Sequence, residues 1–207
     1  KHALVVKADT AHQQVVIDPE MKLMHALDFN PGEDMLRRSV GTAPTVSGRI
    51  QAAETLAKNP TPRGVEAIHE AYQREEHWGV RIAFARALGD AQATGGMKAL
   101  TALLLTESDP RVLSTLASEC GRYRDPSVAN ALRTWLERGE QPYWAHGAAL
   151  KSLGAQRGDQ HIEFIESFAD DPSWWGWVRR DARLALGLTR ERRAFESLLT
   201  RVRENTG

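Results

Sequence analysis

"RIAFARALG", Arg81 to Gly89, carries Ile82, Phe84, Ala85 and Leu88 at helical spacing. "RIQAAETLA", Arg49 to Ala57, places Arg, Ile, Ala and Leu at the same offsets 32 positions earlier. Taking Leu56 and Leu88 as anchors, the column continues through Cys120, Leu153 and Leu186, at spacings of 32, 32, 33 and 33. Four residues before the anchors stand Ala52, Phe84, Leu116, Ala149 and Ala182. Eight before them stand Gly48, Val80, Val112, Ala145 and Val178. Positions i, i+4 and i+8 make one apolar stripe on a helix. A small residue follows every anchor (Ala57, Gly89, Gly121, Gly154, Gly187) and suits a left-handed helix C-cap.

A second helix follows each first one, anchored on Ile68, Leu100, Leu132, Ile165 and Leu198 in the same rhythm. Thr61-Pro62, Asp109-Pro110, Asp125-Pro126 and Asp171-Pro172 each put a capping side chain before a proline, the pattern of a helix start. One such helix pair cannot bury its own apolar stripe, and stacking on a neighbour completes the core. The period is similar to the short, bacterial type of HEAT repeat. The expected fold is therefore mainly α: an α-solenoid, or α–α superhelix, of about five HEAT-like helix pairs. The pairs fall near 45–76, 77–108, 109–140, 141–173 and 174–207. Cys120, standing in a leucine column, reads as a buried small hydrophobe.

Composition narrows the function classes. The chain has 27 basic and 27 acidic residues and no net charge, so a polyanion-binding face is not written into the totals. A 42% apolar and 26% charged composition is that of an ordinary globular chain. No apolar run approaches the ~18–20 residues that span a bilayer, and no signal-type segment opens the sequence. A cytoplasmic setting without membrane contact is expected. The chain starts at Lys1 without an initiator Met, as a fragment or processed product would.

The first forty residues break the period. "ALVVKA" (Ala3–Ala8) and "QVVID" (Gln14–Asp18) read as two short strands of a hairpin. "MKLMHALDF" (Met21–Phe29) reads as a third extended piece. Residues 1–30 are expected to be a β-segment. Residues 31–44 form a linker with a short helix over Gly32–Val40, and the repeats fill 45–207. Two or three strands are too few to stand alone.

The run "VVIDPEMKLMHALDF" (Val15–Phe29), then "MLRRSV" (Met35–Val40) and "GRIQAAETLA" (Gly48–Ala57), resembles the M1 family of zinc aminopeptidases. There, a β-sandwich ends in a strand and an Asp-Pro turn before a helical C-terminal domain. The resemblance implies a non-catalytic C-terminal module that packs on an upstream catalytic domain and limits peptide access. Zinc is then expected only upstream, with no cofactor in this chain.

The residues present carry no catalytic or metal motif. In "HEAYQREEH", His69 and His77 lie eight apart, about 12 Å along a helix axis, too far to share one metal. Glu70, Glu75 and Glu76 read as a solvated helix face. His2, His12, His25, His146 and His161 have no ligand spacing. Short HEAT-type repeats also occur in bilin lyases and some DNA glycosylases, but neither a free surface cysteine nor a basic groove is visible.

Binding residues are sought on the second helices, which usually line the concave side. Two before each anchor stand Glu66, Lys98, Asn130, Glu163 and Glu196; one after stand His69, Thr101, Arg133, Glu166 and Leu199. Mixed signs argue against nucleic acid and for a polypeptide, either the chain's own upstream domain or another protein. The alternative to the peptidase module is thus a free-standing protein-interaction scaffold. In "SWWGWV" (Ser173–Val178), Trp174 and Trp175 fall outside the aromatic columns Trp78/Tyr143 and Trp144/Trp177 and are candidate docking residues. Arg49, Arg81 and Arg179 recur on first helices and read as bridges between adjacent repeats.

Overall fold

A computed structural model describes residues 18, 22, 31–139, 141–172 and 174–204, which contain eleven α-helices. Helix α1 (Glu33–Thr42) precedes five pairs: α2 (Val46–Lys58) with α3 (Pro62–Arg74), α4 (Trp78–Asp90) with α5 (Thr94–Thr106), and α6 (Pro110–Cys120) with α7 (Pro126–Leu136). These are followed by α8 (Tyr143–Ala155) with α9 (Ile162–Glu166), and α10 (Trp177–Thr189) with α11 (Arg192–Glu204). Helices α2, α4, α6, α8 and α10 pack successively on one another as one layer. A second layer runs α1–α3–α5–α7, while α9 and α11 pack on α10. The fold is mainly α and solenoidal. Among the described residues there is no strand; the hairpin expected over residues 1–30 falls almost entirely outside them.

Both anchor columns lie in one continuous core. Leu56, Leu88, Cys120, Leu153 and Leu186 are all buried, as are Ile68, Leu100, Leu132 and Ile165, with Leu198 partly buried against them. Residues between them complete the seam, notably Phe84, Leu116 and the fully buried Trp135. Each such large side chain contributes on the order of 1.5–3 kcal/mol when removed from water.

The glycines after the anchors do not act as left-handed caps. Gly89 and Gly154 lie inside their helices, and the C-cap Gly121 has φ −63°. They sit where the next first helix crosses. A Cβ on Gly121 would lie 2.5 Å from Ser152 Oγ; one on Gly89 would strike the Glu119 carboxylate; one on Gly154 would strike the Ala185 carbonyl. The opposing residue is in each case the one just before the next anchor. Gly187, in the last pair, meets nothing within 4 Å.

Two arginines serve a local purpose. Arg49 donates through Nε to Glu75 Oε2 at 2.7 Å and through Nη1 to the Ala43 carbonyl. Arg81 pairs with Glu107 at 3.6 Å and Asp109 at 3.4 Å. Glu75 and Glu107 end their second helices, and each accepts the backbone N–H of the residue that opens the next first helix, His77 or Asp109. Arg49 therefore ties its pair to its own exit turn, whereas Arg81, through Asp109 at the start of α6, also reaches the next pair as a bridge between adjacent repeats. Glu75 is not solvated: its side chain is only 10% exposed. The buried Glu107 also accepts the Tyr72 hydroxyl at 2.5 Å; burial and this carboxylate push the Tyr72 phenol pKa upward. Arg179 is exposed.

Thr61, Asp109 and Asp125 accept backbone N–H groups at the starts of α3, α6 and α7, each ahead of a proline. Such caps contribute about 1 kcal/mol apiece. Asp171-Pro172 opens no helix: α10 begins at Trp177, after a 3-10 turn whose Trp175 and Gly176 have φ 56° and 64°.

Three outcomes are expected from equilibrium unfolding in urea. Gly154→Ala should cost about 2–4 kcal/mol, because a backbone carbonyl cannot yield to the new methyl as a side chain can. Gly187→Ala, at the same register, should be neutral or stabilising by up to ~1 kcal/mol. Glu107→Ala should cost about 2–4 kcal/mol by leaving the Tyr72 hydroxyl, Arg81 and two backbone N–H groups without their acceptor.

Candidate functional site

The residues singled out on the second helices do not converge. Glu66, Lys98, Asn130, Arg133 and Glu163 are exposed, and His69, Thr101 and Glu166 are half-buried. His69 stands 3.2 Å from Gln73, and the Thr101 hydroxyl donates to the Lys98 carbonyl of its own helix. Arg133 donates to Glu137 and lies 4.6 Å over the Phe164 ring. Glu163 accepts from Arg193 at 3.0 Å, so it does reach the last pair. Helix α3 ends at Arg74, so His69 and His77 do not even share a helix.

The aromatics at the starts of first helices bridge neighbouring pairs while staying partly exposed. Trp144 donates through Nε1 to the Pro110 carbonyl at 3.1 Å, and the Arg111 guanidinium lies 4.8 Å over Trp78. Trp177 is covered by Arg180 at 4.3 Å. Trp175 is 81% exposed; the side chain of Trp174 lies outside the described residues.

The strongest departure from an ordinary surface is at the last pair. Among the described residues eleven large apolar side chains are exposed, and seven of them lie between Trp175 and Val202. Their columns explain this. Phe195 occupies the position of Val65, Met97, Ala129 and Ile162, which lie buried or half-buried; Phe195 itself is 60% exposed. Val202 occupies the position of Tyr72, Leu104, Leu136 and Ala169, all buried, and is 59% exposed. These two side chains belong to the seam between pairs, yet both are largely exposed. Leu184 and Leu188 stand one turn apart on α10, at positions that hold Glu54, Arg86, Ser118 and Lys151, or Lys58, Asp90, Arg122 and Ala155, in earlier pairs. Leu199 likewise follows His69, Thr101, Arg133 and Glu166 in its column. The polar columns therefore turn apolar only at this end. That change is readable in the sequence, in the same columns that give the repeat, although attention to motifs passes over it.

Burial shifts the titratable groups among the described residues that could carry chemistry. Cys120 is 1% exposed, and burial pushes its thiol up to about 12. His146 packs edge-on against Phe168, and burial lowers its pKa although Asp171 opposes the shift. The pKa of His161 is lowered by burial and then by Arg133. Among the described residues no group of three or more His, Cys, Asp or Glu is placed to hold a metal ion. None of the helices described is long and apolar enough to cross a membrane.

Comparison with known proteins agrees with this geometry. No curated protein matches the chain. Among solved structures, the complex of CpcE and CpcF of phycocyanin lyase from Nostoc sp. PCC7120 superposes with a TM-score of 0.63 and 23% identity, over 86% of this chain and 73% of that one. This likeness is one of fold. The resemblance to zinc aminopeptidases, and with it the peptidase module and the hydrolase function, is overturned. Of the stretches that suggested it, Met35–Val40 lies in α1 and Gly48–Ala57 in the first helix of a repeat pair, whose arginine is accounted for by Glu75. The model of HEAT repeats matches residues 40–117, 74–146 and 97–187, and the chain belongs to the HEAT-repeat family.

Proposed function

We propose that this chain is a protein-interaction module that receives a helical surface of a partner protein on the apolar patch exposed by its last helix pair. The observation that carries the reading is the exposure of Phe195 and Val202 in columns that are otherwise closed. An apolar patch of this kind, ringed by Arg192, Arg193 and Glu196, has the anatomy of a protein interface, apolar at the centre and charged at the rim. A helical partner suits it because each earlier pair covers the same columns with the helices of the next. Exposed Trp175, beside the patch in sequence, is of the residue type that most often anchors interfaces. That the structural neighbour was solved as a complex of two proteins supports association between chains. Of the second-helix columns, Glu196 and Leu199 lie on the last helix itself, and Glu163 reaches that helix through Arg193.

A photo-crosslinking amino acid at position 195 or 199 should yield one discrete protein adduct in cells, and the same probe at exposed position 51 should not. Once that partner is known, calorimetry should show Phe195→Asp weakening it at least about tenfold, the effect of losing a central interface residue. The thermal midpoint of the free chain should be unchanged. Adducts from position 51 alone, or unaltered affinity in Phe195→Asp, would remove the reading.

A further inference from the structure

The opposite end of the first helices carries a second unexplained feature. Four residues after the anchors stand Pro60, Gln92, Arg124, Arg157 and Arg190, so the last three turns place an arginine at the same register. Among the described residues none of these three guanidiniums has a hydrogen-bond or ion-pair partner. Their neighbour Arg122, by contrast, is neutralised by Asp90 at 2.6 Å and Glu119 at 3.2 Å. Arg157 and Arg190 have φ 62° and 59°, a left-handed conformation that glycine adopts at least cost. The turn geometry alone therefore gives no reason for arginine. The three charges also feel one another: the proximity of Arg124, then Arg190, lowers the Arg157 pKa.

The row is firmly held. Gln156 donates to the Tyr123 carbonyl at 2.8 Å and accepts from the Asp125 N–H at 3.2 Å, gripping the peptide groups on both sides of Arg124. Thr189 accepts from the Glu191 N–H in the same way around Arg190. Beside Arg124 opens a cavity of about 300 Å³ lined by Asn130, Gln156, Gln160 and His161, side chains able to pair with peptide N–H and C=O groups.

We propose that this row of arginines binds an extended acidic segment of a partner polypeptide, with a carboxylate at every third residue. The spacing follows from the stack. Packed helices lie about 8–10 Å apart, and a polyproline-type chain advances about 3.1 Å per residue with three residues per turn. Side chains three apart thus fall on one side of the segment, at the pitch of one repeat. Guanidinium and carboxylate match in a bidentate fork. A polypeptide suits this edge because the cavity beside Arg124 presents the amides of Asn130, Gln156 and Gln160, which pair with peptide N–H and C=O groups. This site is separate from the apolar patch of the last pair and does not depend on it.

The test is fluorescence anisotropy on the full chain. Its probes are a labelled peptide bearing glutamate at every third position and an isomer with the same residues but contiguous glutamates. The periodic peptide should bind at least about fivefold more tightly, and its affinity should fall with added salt. Arg157→Gly, which the left-handed backbone favours, should keep the fold and weaken binding about three- to fivefold, as for one exposed charge pair. Phe195→Asp should leave peptide binding unchanged, which separates this site from the other. Equal affinity for the two isomers, tighter binding of a single-stranded oligonucleotide, or full affinity in Arg157→Gly would overturn the proposal.

Discussion

Everything in this molecule depends on how closely consecutive first helices approach. At Gly89, Gly121 and Gly154 the next helix comes near enough that a single added methyl would meet Glu119, Ser152 or the Ala185 backbone. Close approach lets short apolar side chains such as Ala149 and Ala182 complete a dense seam with Leu153 and Leu186. A wider spacing would open a gap along the whole row, since a solenoid's stability is largely a sum over neighbouring interfaces. The tolerance differs from pair to pair. Glu119 is a flexible side chain and can bend away, whereas the carbonyl of Ala185 is fixed in its helix.

Around this invariant the pairs solve their secondary problems differently. The first two fix their exit turns with Arg49–Glu75 and Arg81–Glu107. The corresponding first-helix position holds Leu113 in the third pair, buried in the core, and His146 in the fourth, edge-on to Phe168. What repeats is the shape of the seam, not the chemistry of its fastening. One fastening therefore cannot be inferred from another by column alone.

The columns made the architecture legible because burial at i, i+4 and i+8 is a property of residue type. They placed Leu56 through Leu186, and Ile68 through Ile165, in the core. They could state that a small residue follows every anchor but not why. A left-handed cap and a helix crossing leave the same trace in sequence, and here the crossing is the cause. Glu75 looked solvated because its partner, Arg49, is 26 residues away. Asp171-Pro172 has every local mark of a helix start, yet the chain runs on to Trp177 because Trp175 and Gly176 turn left-handed. The peptidase resemblance failed for a related reason. An arginine followed by alanines on an apolar stripe is what any tightly stacked helix needs, so one such helix cannot discriminate between families. The apolar patch of the last pair was legible in Phe195, Leu199 and Val202. The arginine row was legible in the column four after the anchors, but that its members stand unpaired among the described residues is visible only in three dimensions.

A linear stack also explains where recognition can occur. Its interior is consumed by packing, and on its sides some second-helix polar groups, Thr101 and Arg133 among them, are engaged with their own helix. The end of the row and the turns along its edges are the surfaces on which side chains depart from the repeat. The end offers apolar area without a fixed pattern, so it suits affinity. The turns offer one side chain per repeat at a pitch set by helix packing, so they suit the reading of a spacing. Phe195 and Val202 belong to the first kind of surface, Arg124, Arg157 and Arg190 to the second. A partner that used both would be held by apolar contact at the end and selected by charge along the edge.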